Sequence, residues 1–283
     1  MSRPVSMNVR ALLCLAAITC APLGSQAAPS AEVPNFGPNN LTAWVPDRPA
    51  GDEFLSPASG PGPVTSDKEH PYVPNGEGQP TYRIADLSNP ILQPWVAEQM
   101  KVWNDRVRAG KIPFTARERC WPGGVPAFNI YERDRPIFWV QTPKEIVMIE
   151  ESNAETRRVH MNVPHSKNPK PSWYGESVGH FEGDTLVVDT IGFNDKSFVD
   201  NYRTPHSTQL HVVERFRILD GGKALEARIT VEDPGAYNMA WSAVQRWKKR
   251  DDRPITEYIC AEDTSNYLNF DFAPLPEAKR PDF

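Results

Sequence analysis

The sequence has 283 residues, a formal net charge of −5 and 39% hydrophobic residues. A chain of this length buries one substantial core or two small ones. A mildly acidic chain without a basic run gives no electrostatic reason to bind nucleic acid or anionic lipid.

Residues 1–27 have the composition of an export signal. Two arginines precede the apolar run 11–21, and small residues lead to a cleavage site near Ala27. The run is too short to cross a bilayer, which needs about 20 apolar residues. We therefore expect a periplasmic or secreted protein without a membrane span. A lipid anchor at Cys20 is an alternative, although Thr19 fits poorly before such a cysteine.

Residues 28–85 are dense in proline and glycine, especially at 57–63 and 74–80. Proline lacks the backbone donor that helices and sheets require, so we expect neither of them in this segment. The segment is predicted to be an extended arm, either a disordered leader or a strap laid over the domain. The strap alternative has aromatic anchors in Phe36, Trp44, Phe54 and Tyr72.

Residues 86–265 are predicted to form a domain with one helix and a β-barrel, followed by a loose, proline-containing tail over 266–283. The helix is indicated by apolar residues at helical spacing, with a proline suited to its first turn and a glycine at its end. These residues are Val96, Met100, Trp103 and Val107, with Pro94 and Gly110. We expect an amphipathic helix that packs on the core.

Short runs rich in β-branched and aromatic residues follow the helix. They cover 137–141, 146–150, 157–163, 176–181, 185–191, 210–218, 224–231, 241–248 and 256–260. Turn residues separate them and no helical pattern intervenes, which predicts an antiparallel up-and-down meander. Closing such strands into a barrel removes exposed edges. The predicted fold class is therefore mainly β, an antiparallel up-and-down barrel with one amphipathic helix and a proline-rich N-terminal arm.

Removal of the signal would leave two cysteines, Cys120 and Cys260. In an oxidising compartment an isolated pair is best interpreted as a disulfide. The bond would tie the start of the β region to its end. Cys120 as a nucleophile is the functional alternative.

Side-chain alternation assigns the inner faces of several strands. Leu210, Val212, Glu214 and Phe216 share one face, so the carboxylate of Glu214 is predicted to point inward. A buried carboxylate must be paired, hydrogen-bonded or protonated. Glu214 is thus either a structural ion-pair partner or a proton-transfer group in a cavity.

The interior is also the predicted place for a ligand. The predicted ligand-binding residues are Trp173, Tyr237, Trp241, Gln245 and Trp247, and the alternative for each aromatic ring is simple core packing.

Two loop histidines follow prolines, His165 and His206, and such rigid loops suit the rim of a barrel. Their alternative role is a turn or capping hydrogen bond. Ser177 lies in a G-x-S-x-G string, but the string continues into a hairpin, so a bend is the better interpretation than a nucleophile.

The histidines raise the question of a metal. His160 and His165, and likewise His206 and His211, are five residues apart, and with His180 and Asp189 they could supply ligands. The spacing matches no tight zinc pattern, so we predict neither a metal nor a cofactor.

Three strings carry a family resemblance: EGDTLVVDT at 182–190, PHSTQLHVVER at 205–215 and EDPGAY at 232–237. Over about residues 87–263 the chain resembles a large family of exported bacterial proteins that share these strings. The resemblance implies a lipocalin-like β-barrel and draws attention to His180, Asp189, His206 and Glu214. It implies no particular activity.

These patterns lead to competing functional hypotheses. One is a cofactor-free lyase or isomerase for a small hydrophobic or aromatic molecule. Its catalytic candidates are His165, His180 and His206 as the base, Glu214 as its orienting group or as the acid, and Asp189. A non-catalytic ligand-binding or envelope structural protein is the second, and a metal-dependent hydrolase is the third. The substrate and the oligomeric state are left open.

Overall fold

The computed structural model of the protein describes residues 33–38, 42–47, 53–72, 82–111, 113, 116, 120–130, 136–151 and 155–260. The predicted signal over 1–27 and the predicted tail over 266–283 lie outside these residues.

Nine strands follow one another around a closed barrel in chain order. They are β1 (Ala43–Pro46), β2 (Ile137–Gln141), β3 (Glu145–Glu150), β4 (Glu155–Met161), β5 (Glu176–Glu182), β6 (Thr185–Ile191), β7 (His211–Leu219), β8 (Ala224–Glu232) and β9 (Trp241–Arg250). The prediction of a mainly β barrel with one helix is confirmed for the described residues.

One strand pair departs from the predicted antiparallel order. β4 and β5 run parallel, with Val159 opposite Ser177 and Met161 opposite Gly179. A parallel neighbour requires a long crossover, and the connection 162–175 provides it. A Cβ atom on Gly179 would lie 2.8 Å from the Val159 side chain, so glycine permits the close approach of these two strands.

The first strand comes from the proline-rich arm. β1 pairs with β2 on one side and with β9 on the other, and so closes the barrel. The prediction that the arm contains no sheet is therefore wrong here. Pro46 is the last residue of the strand, where a missing N–H disturbs the ladder least. The predicted strand at 256–260 does not form, because β1 occupies the edge of β9.

Aromatic residues fasten the described part of the arm, as the strap alternative required. The ring of Phe36 stacks on Trp139 with centroids 4.8 Å apart, and the indole N–H of Trp44 donates to the Phe36 carbonyl at 2.8 Å. Further along, Phe54 packs against Trp241. The described part of the arm is thus packed into the hydrophobic core.

The helix α1 spans Pro94–Arg108, with proline in its first turn as predicted. Val96, Met100 and Val107 are buried, and the side-chain amide of Asn104 bonds both backbone groups of Ala85. Within the described part of the chain, no helix has both the length and the apolar character needed to cross a bilayer.

The predicted disulfide between Cys120 and Cys260 is present, with Cα atoms 5.7 Å apart. It links the segment before β2 to the chain that follows β9. Both cysteines are consumed by this bond, which removes Cys120 as a nucleophile.

Candidate functional site

A salt bridge between Arg157 on β4 and Glu214 on β7 lies inside the barrel. Both side chains are fully buried, as the strict alternation of buried and exposed residues along β4 and the start of β7 requires. The inward orientation predicted for Glu214 is confirmed. The carboxylate is paired with a cation rather than isolated.

Other polar side chains extend this pair across the barrel. Asn129, on the short 3-10 turn Ala127–Ile130, donates from its amide to Oε1 of Glu214 at 2.5 Å. The side chain of Gln245 on β9 donates to the Asn129 carbonyl at 3.2 Å. A chain of polar groups therefore runs from β4 to β9 through a mainly apolar interior.

Two hydroxyl groups complete what we term the interior polar network, namely Arg157, Glu214, Asn129, Gln245, Ser177 and Thr190. The Arg157 guanidinium donates to Thr190 at 3.0 Å and to Ser177 at 3.2 Å, and the two hydroxyl oxygens lie 2.9 Å apart. The described partners of Ser177 include no histidine. Ser177 therefore lacks the base that a serine nucleophile needs.

Several buried polar atoms in this interior have no hydrogen-bond partner among the described residues. They are Nη1 of Arg157, Oδ1 of Asn129 and the indole nitrogens of Trp139, Trp241 and Trp247. Leaving such a group unsatisfied costs about 1–3 kcal/mol. Buried groups left unsatisfied in this way call for water or a bound molecule.

The predicted ligand-binding residues divide between two places. Trp241, Gln245 and Trp247 face the interior and are buried. Tyr237 packs edge-on against Trp241, and its hydroxyl donates to the Pro205 carbonyl at 3.0 Å. Trp173 lies elsewhere and packs against Trp121, so it does not join the interior set.

His206 is buried in the loop between β6 and β7. Its Nδ1 donates to the Ser207 carbonyl, and its Nε2 lies 2.9 Å from the Ser197 hydroxyl. Burial lowers the pKa of His206, so the ring is neutral near pH 7. This geometry matches the turn-bonding alternative for this histidine.

His180 is exposed on β5 and lies 3.2 Å from Glu182. The described partners of the Glu214 carboxylate are Arg157 and Asn129, and they include no histidine. The structure therefore does not assemble the expected pair of a rim histidine and Glu214. The Arg157 guanidinium and the Asn129 amide contact the Glu214 carboxylate where a histidine was expected.

His165 and Asp189 are brought together, but on the outer surface of the barrel. One oxygen of Asp189 lies 3.0 Å from Nε2 of His165 and 3.0 Å from Nε2 of His211. Glu176 and Glu232 stand behind the two rings. His165, His211, Asp189, Glu176 and Glu232 are termed the outer histidine cluster below.

The second nitrogen of each ring faces a carboxylate. Nδ1 of His165 is 3.1 Å from Glu176, and Nδ1 of His211 is 3.6 Å from Glu232. A hydrogen bond from the Ser166 hydroxyl lowers the pKa of Glu176, and the Ser166 amide and His165 add to this effect. Sequence reasoning did not select the two glutamates, because strand register rather than spacing aligns them with the histidines.

Two pockets lined entirely by described residues open on the outside of the barrel. One, of about 580 Å³, lies beside the β4–β5 pair, with Ser166 and Glu176 in its wall. The other, of about 680 Å³, lies between residues 55–59 of the arm and the strands β8 and β9.

Comparison of the chain with protein-family models, with curated proteins and with solved structures finds no match.

Proposed function

We propose that the protein binds a small aromatic molecule carrying oxygen atoms inside its barrel, beside the interior polar network. The observation that carries the proposal is Nη1 of Arg157, a buried cationic donor without a hydrogen-bond partner among the described residues, in a barrel whose interior also holds buried tryptophans. An oxygen of a guest molecule would satisfy it. Recognition by a few fixed polar groups in an apolar site is the usual form of a small-molecule pocket.

The unpaired atoms indicate the chemistry of the guest. The Arg157 guanidinium and the three indole groups are donors and call for carboxylate, carbonyl or phenolic oxygens, whereas Oδ1 of Asn129 calls for a hydroxyl or amine. Indole faces pack well against another aromatic ring. A phenol or an aromatic carboxylic acid combines these features.

Small side chains beside the network favour space for a guest. Ala227 and Ala243 face the interior on β8 and β9, next to Gln245. A barrel of about eight strands is wide enough either for packed side chains or for one small ligand. Alanines at these positions favour the second arrangement.

The test is titration of the purified protein with benzoic acids, cinnamic acids and phenols, followed by tryptophan fluorescence and native mass spectrometry. A ligand near Trp241 and Trp247 is expected to change their emission and to add one mass per chain. The variant Ala243→Val, which adds bulk inward, should weaken binding. Its matched control Ser242→Val adds bulk on the opposite face of the same strand and should not. A folded protein that binds no compound, or equal losses in the two variants, would contradict the proposal.

A cofactor-free lyase or isomerase is the second candidate, favoured by one juxtaposition. Glu214 is a carboxylate able to take a proton, and Arg157 beside it can stabilise the negative charge that then develops on a substrate oxygen. In this version Glu214 rather than a histidine is the base. Glu214→Gln is expected to bind the ligand but to abolish turnover, and turnover that survives this substitution would exclude the mechanism.

We also propose that the protein works in the periplasm or outside the cell. The predicted signal and the disulfide between Cys120 and Cys260 support this location, since such bonds persist in oxidising compartments. Cell fractionation with N-terminal sequencing should find a mature chain that begins near Ala28. An uncleaved chain in the cytoplasmic fraction would contradict it.

A further inference from the structure

We propose that His165, Asp189 and His211 bind one divalent transition-metal ion on the outer face of the barrel. This site is separate from the barrel interior and independent of the function proposed there. The Oδ1 atom of Asp189 lies 3.0 Å from Nε2 of each imidazole, so two potential nitrogen ligands adjoin one carboxylate oxygen. Asp189 is on β6, His211 is on β7 and His165 comes from the crossover 162–175.

The outer partners of the two rings are those of metal-binding histidines. A histidine that binds a metal through one nitrogen almost always donates its other N–H to a carboxylate, carbonyl or water, which fixes the ring orientation. Nδ1 of His165 faces Glu176 at 3.1 Å, and Nδ1 of His211 faces Glu232 at 3.6 Å. Both rings therefore present Nε2 toward Asp189 and Nδ1 toward a second carboxylate.

Charge supports the same conclusion. Three carboxylates, Asp189, Glu176 and Glu232, surround the two imidazoles on one surface. Like charges at such distances repel. A divalent cation would offset most of the negative charge of the three carboxylates.

The donor set indicates the kind of metal. Two imidazole nitrogens and one carboxylate oxygen suit zinc, cobalt, nickel or iron, whereas magnesium and calcium prefer oxygen ligands alone. The side chain of Asp189 is 39% exposed and that of His211 is 34% exposed, which leaves room for water as a further ligand.

One ion can bind both imidazoles only if their Nε2 atoms move closer together. Among the described residues, Asp67, Glu69 and His70 are the only group with three potential ligand atoms all within 4.8 Å of one another. Nε2 of His165 and Nε2 of His211 are therefore more than 4.8 Å apart, and they must approach each other around Asp189, with each Nδ1 keeping its carboxylate partner, before one ion binds both. The Asp67 group itself is a surface turn, because Asp67 already accepts the backbone amides of Glu69 and His70.

The test uses the full mature chain without an affinity tag, first freed of metal by a chelator. Zinc binding is measured by calorimetry, and the visible absorption of bound cobalt reports its ligands. One ion per chain is expected, with a cobalt spectrum that indicates nitrogen ligands. Zinc should also raise the melting temperature of the protein and should fail to do so in Asp189→Asn.

Variants locate the ion. His165→Ala, Asp189→Asn and His211→Ala should each weaken zinc binding by more than the factor of about 10–100 that loss of an outer partner costs, and Glu176→Gln should fall within that range. The matched controls are His70→Ala and His180→Ala, which remove surface histidines that also contact a carboxylate. They should leave binding unchanged.

Three outcomes would overturn the proposal. The first is a folded protein that binds neither zinc nor cobalt. The second is binding that is lost in His70→Ala but kept in His165→Ala. The third is an equal small loss in every variant, which would mean adventitious surface binding only.

Discussion

The guanidinium of Arg157 and the carboxylate of Glu214 form a salt bridge in the barrel interior, with neither side chain exposed. A buried pair of this kind contributes little net stability compared with apolar residues of the same volume, because both charges must leave water. Removing one partner is far more costly, since the other charge is then buried alone.

The double substitution should therefore cost much less stability than a single one. Arg157→Met is expected to lower the free energy of unfolding by about 3–5 kcal/mol, because Glu214 loses its cation. Arg157→Met combined with Glu214→Met should recover most of that loss. Urea denaturation of the parent protein, of Arg157→Met, of Glu214→Met and of the double variant measures the four free energies of unfolding that this comparison needs. A double variant as unstable as the sum of the two single ones would show that the two side chains contribute independently, and would contradict this account of the pair.

The proline-rich arm should contribute as much to the stability of the protein as an element of the core does. Trp44 on β1 is buried and bonded to the Phe36 carbonyl, so Trp44→Ala is expected to destabilise the protein by about 3–5 kcal/mol. Trp95 on α1 is the control, because 44% of it is exposed. Trp95→Ala should lower the melting temperature much less. Equal effects would mean that the arm is only loosely attached.

The bond between Cys120 and Cys260 closes a loop with a sequence separation of 140. The chain-entropy model assigns such a loop about 5 kcal/mol of stabilisation, as an upper figure. Cys120→Ser with Cys260→Ser is expected to lose up to that amount while keeping the β-rich circular dichroism spectrum. If the double variant is as stable as the parent protein, the loop is already constrained in the unfolded chain.

Asp200 should give the protein a distinctive pH dependence. Burial raises the pKa of Asp200 from 3.8 to about 6, although Tyr202 and Thr204 donate to it. The folded protein then holds this proton where the unfolded chain has lost it, so stability falls as the pH rises from about 4 to 6.

The neutral variant Asp200→Asn isolates that contribution. Unfolding free energies of both proteins are measured by urea denaturation at pH 4, 5, 6 and 7. The stability of the parent protein relative to the variant should decline by up to about 3 kcal/mol over this range. A difference that does not change with pH would mean that Asp200 is ionised throughout.

His206 should make the stability of the protein depend on pH in the opposite direction. Burial lowers the pKa of His206 from 6.5, so the unfolded chain takes up a proton before the folded protein does. The stability that the neutral ring supports is therefore present above pH 6.5 and is lost as the pH falls below that value, through the lower pKa of the folded protein. His206→Gln keeps a donor and an acceptor but does not titrate. The stability difference between parent and variant should shrink on acidification, and a constant difference would contradict the neutral state.

Much of the barrel was predictable from local pattern. Alternation in 210–218 placed Glu214 inward, helical spacing placed Val96, Met100 and Val107 on the buried face of α1, and the cysteine pair indicated its own bond. These inferences depend only on side chains a few residues apart or on chemistry that does not require a fold. They hold because a strand or helix places its side chains with a fixed period.

Pairing across the sheet was not predictable in the same way. The partners of Glu214 are separated from it by 57 residues for Arg157 and 85 for Asn129. The neighbours of each strand depend on the parallel pairing of β4 with β5 and on the pairing of β1, which comes from the arm, with β9. Neither leaves a periodic signal in the sequence, since both depend on which edges are still free when the barrel closes.

The amino-acid sequence by itself therefore determined the strands β2 to β9, the helix, the disulfide and the burial of one carboxylate. Tertiary structure alone decided that this carboxylate meets an arginine rather than a histidine, and that His165 and His211 share Asp189 on the outside. The physical reason is range: periodicity fixes the face on which a side chain lies, whereas register and closure of the whole sheet fix the side chain that it meets.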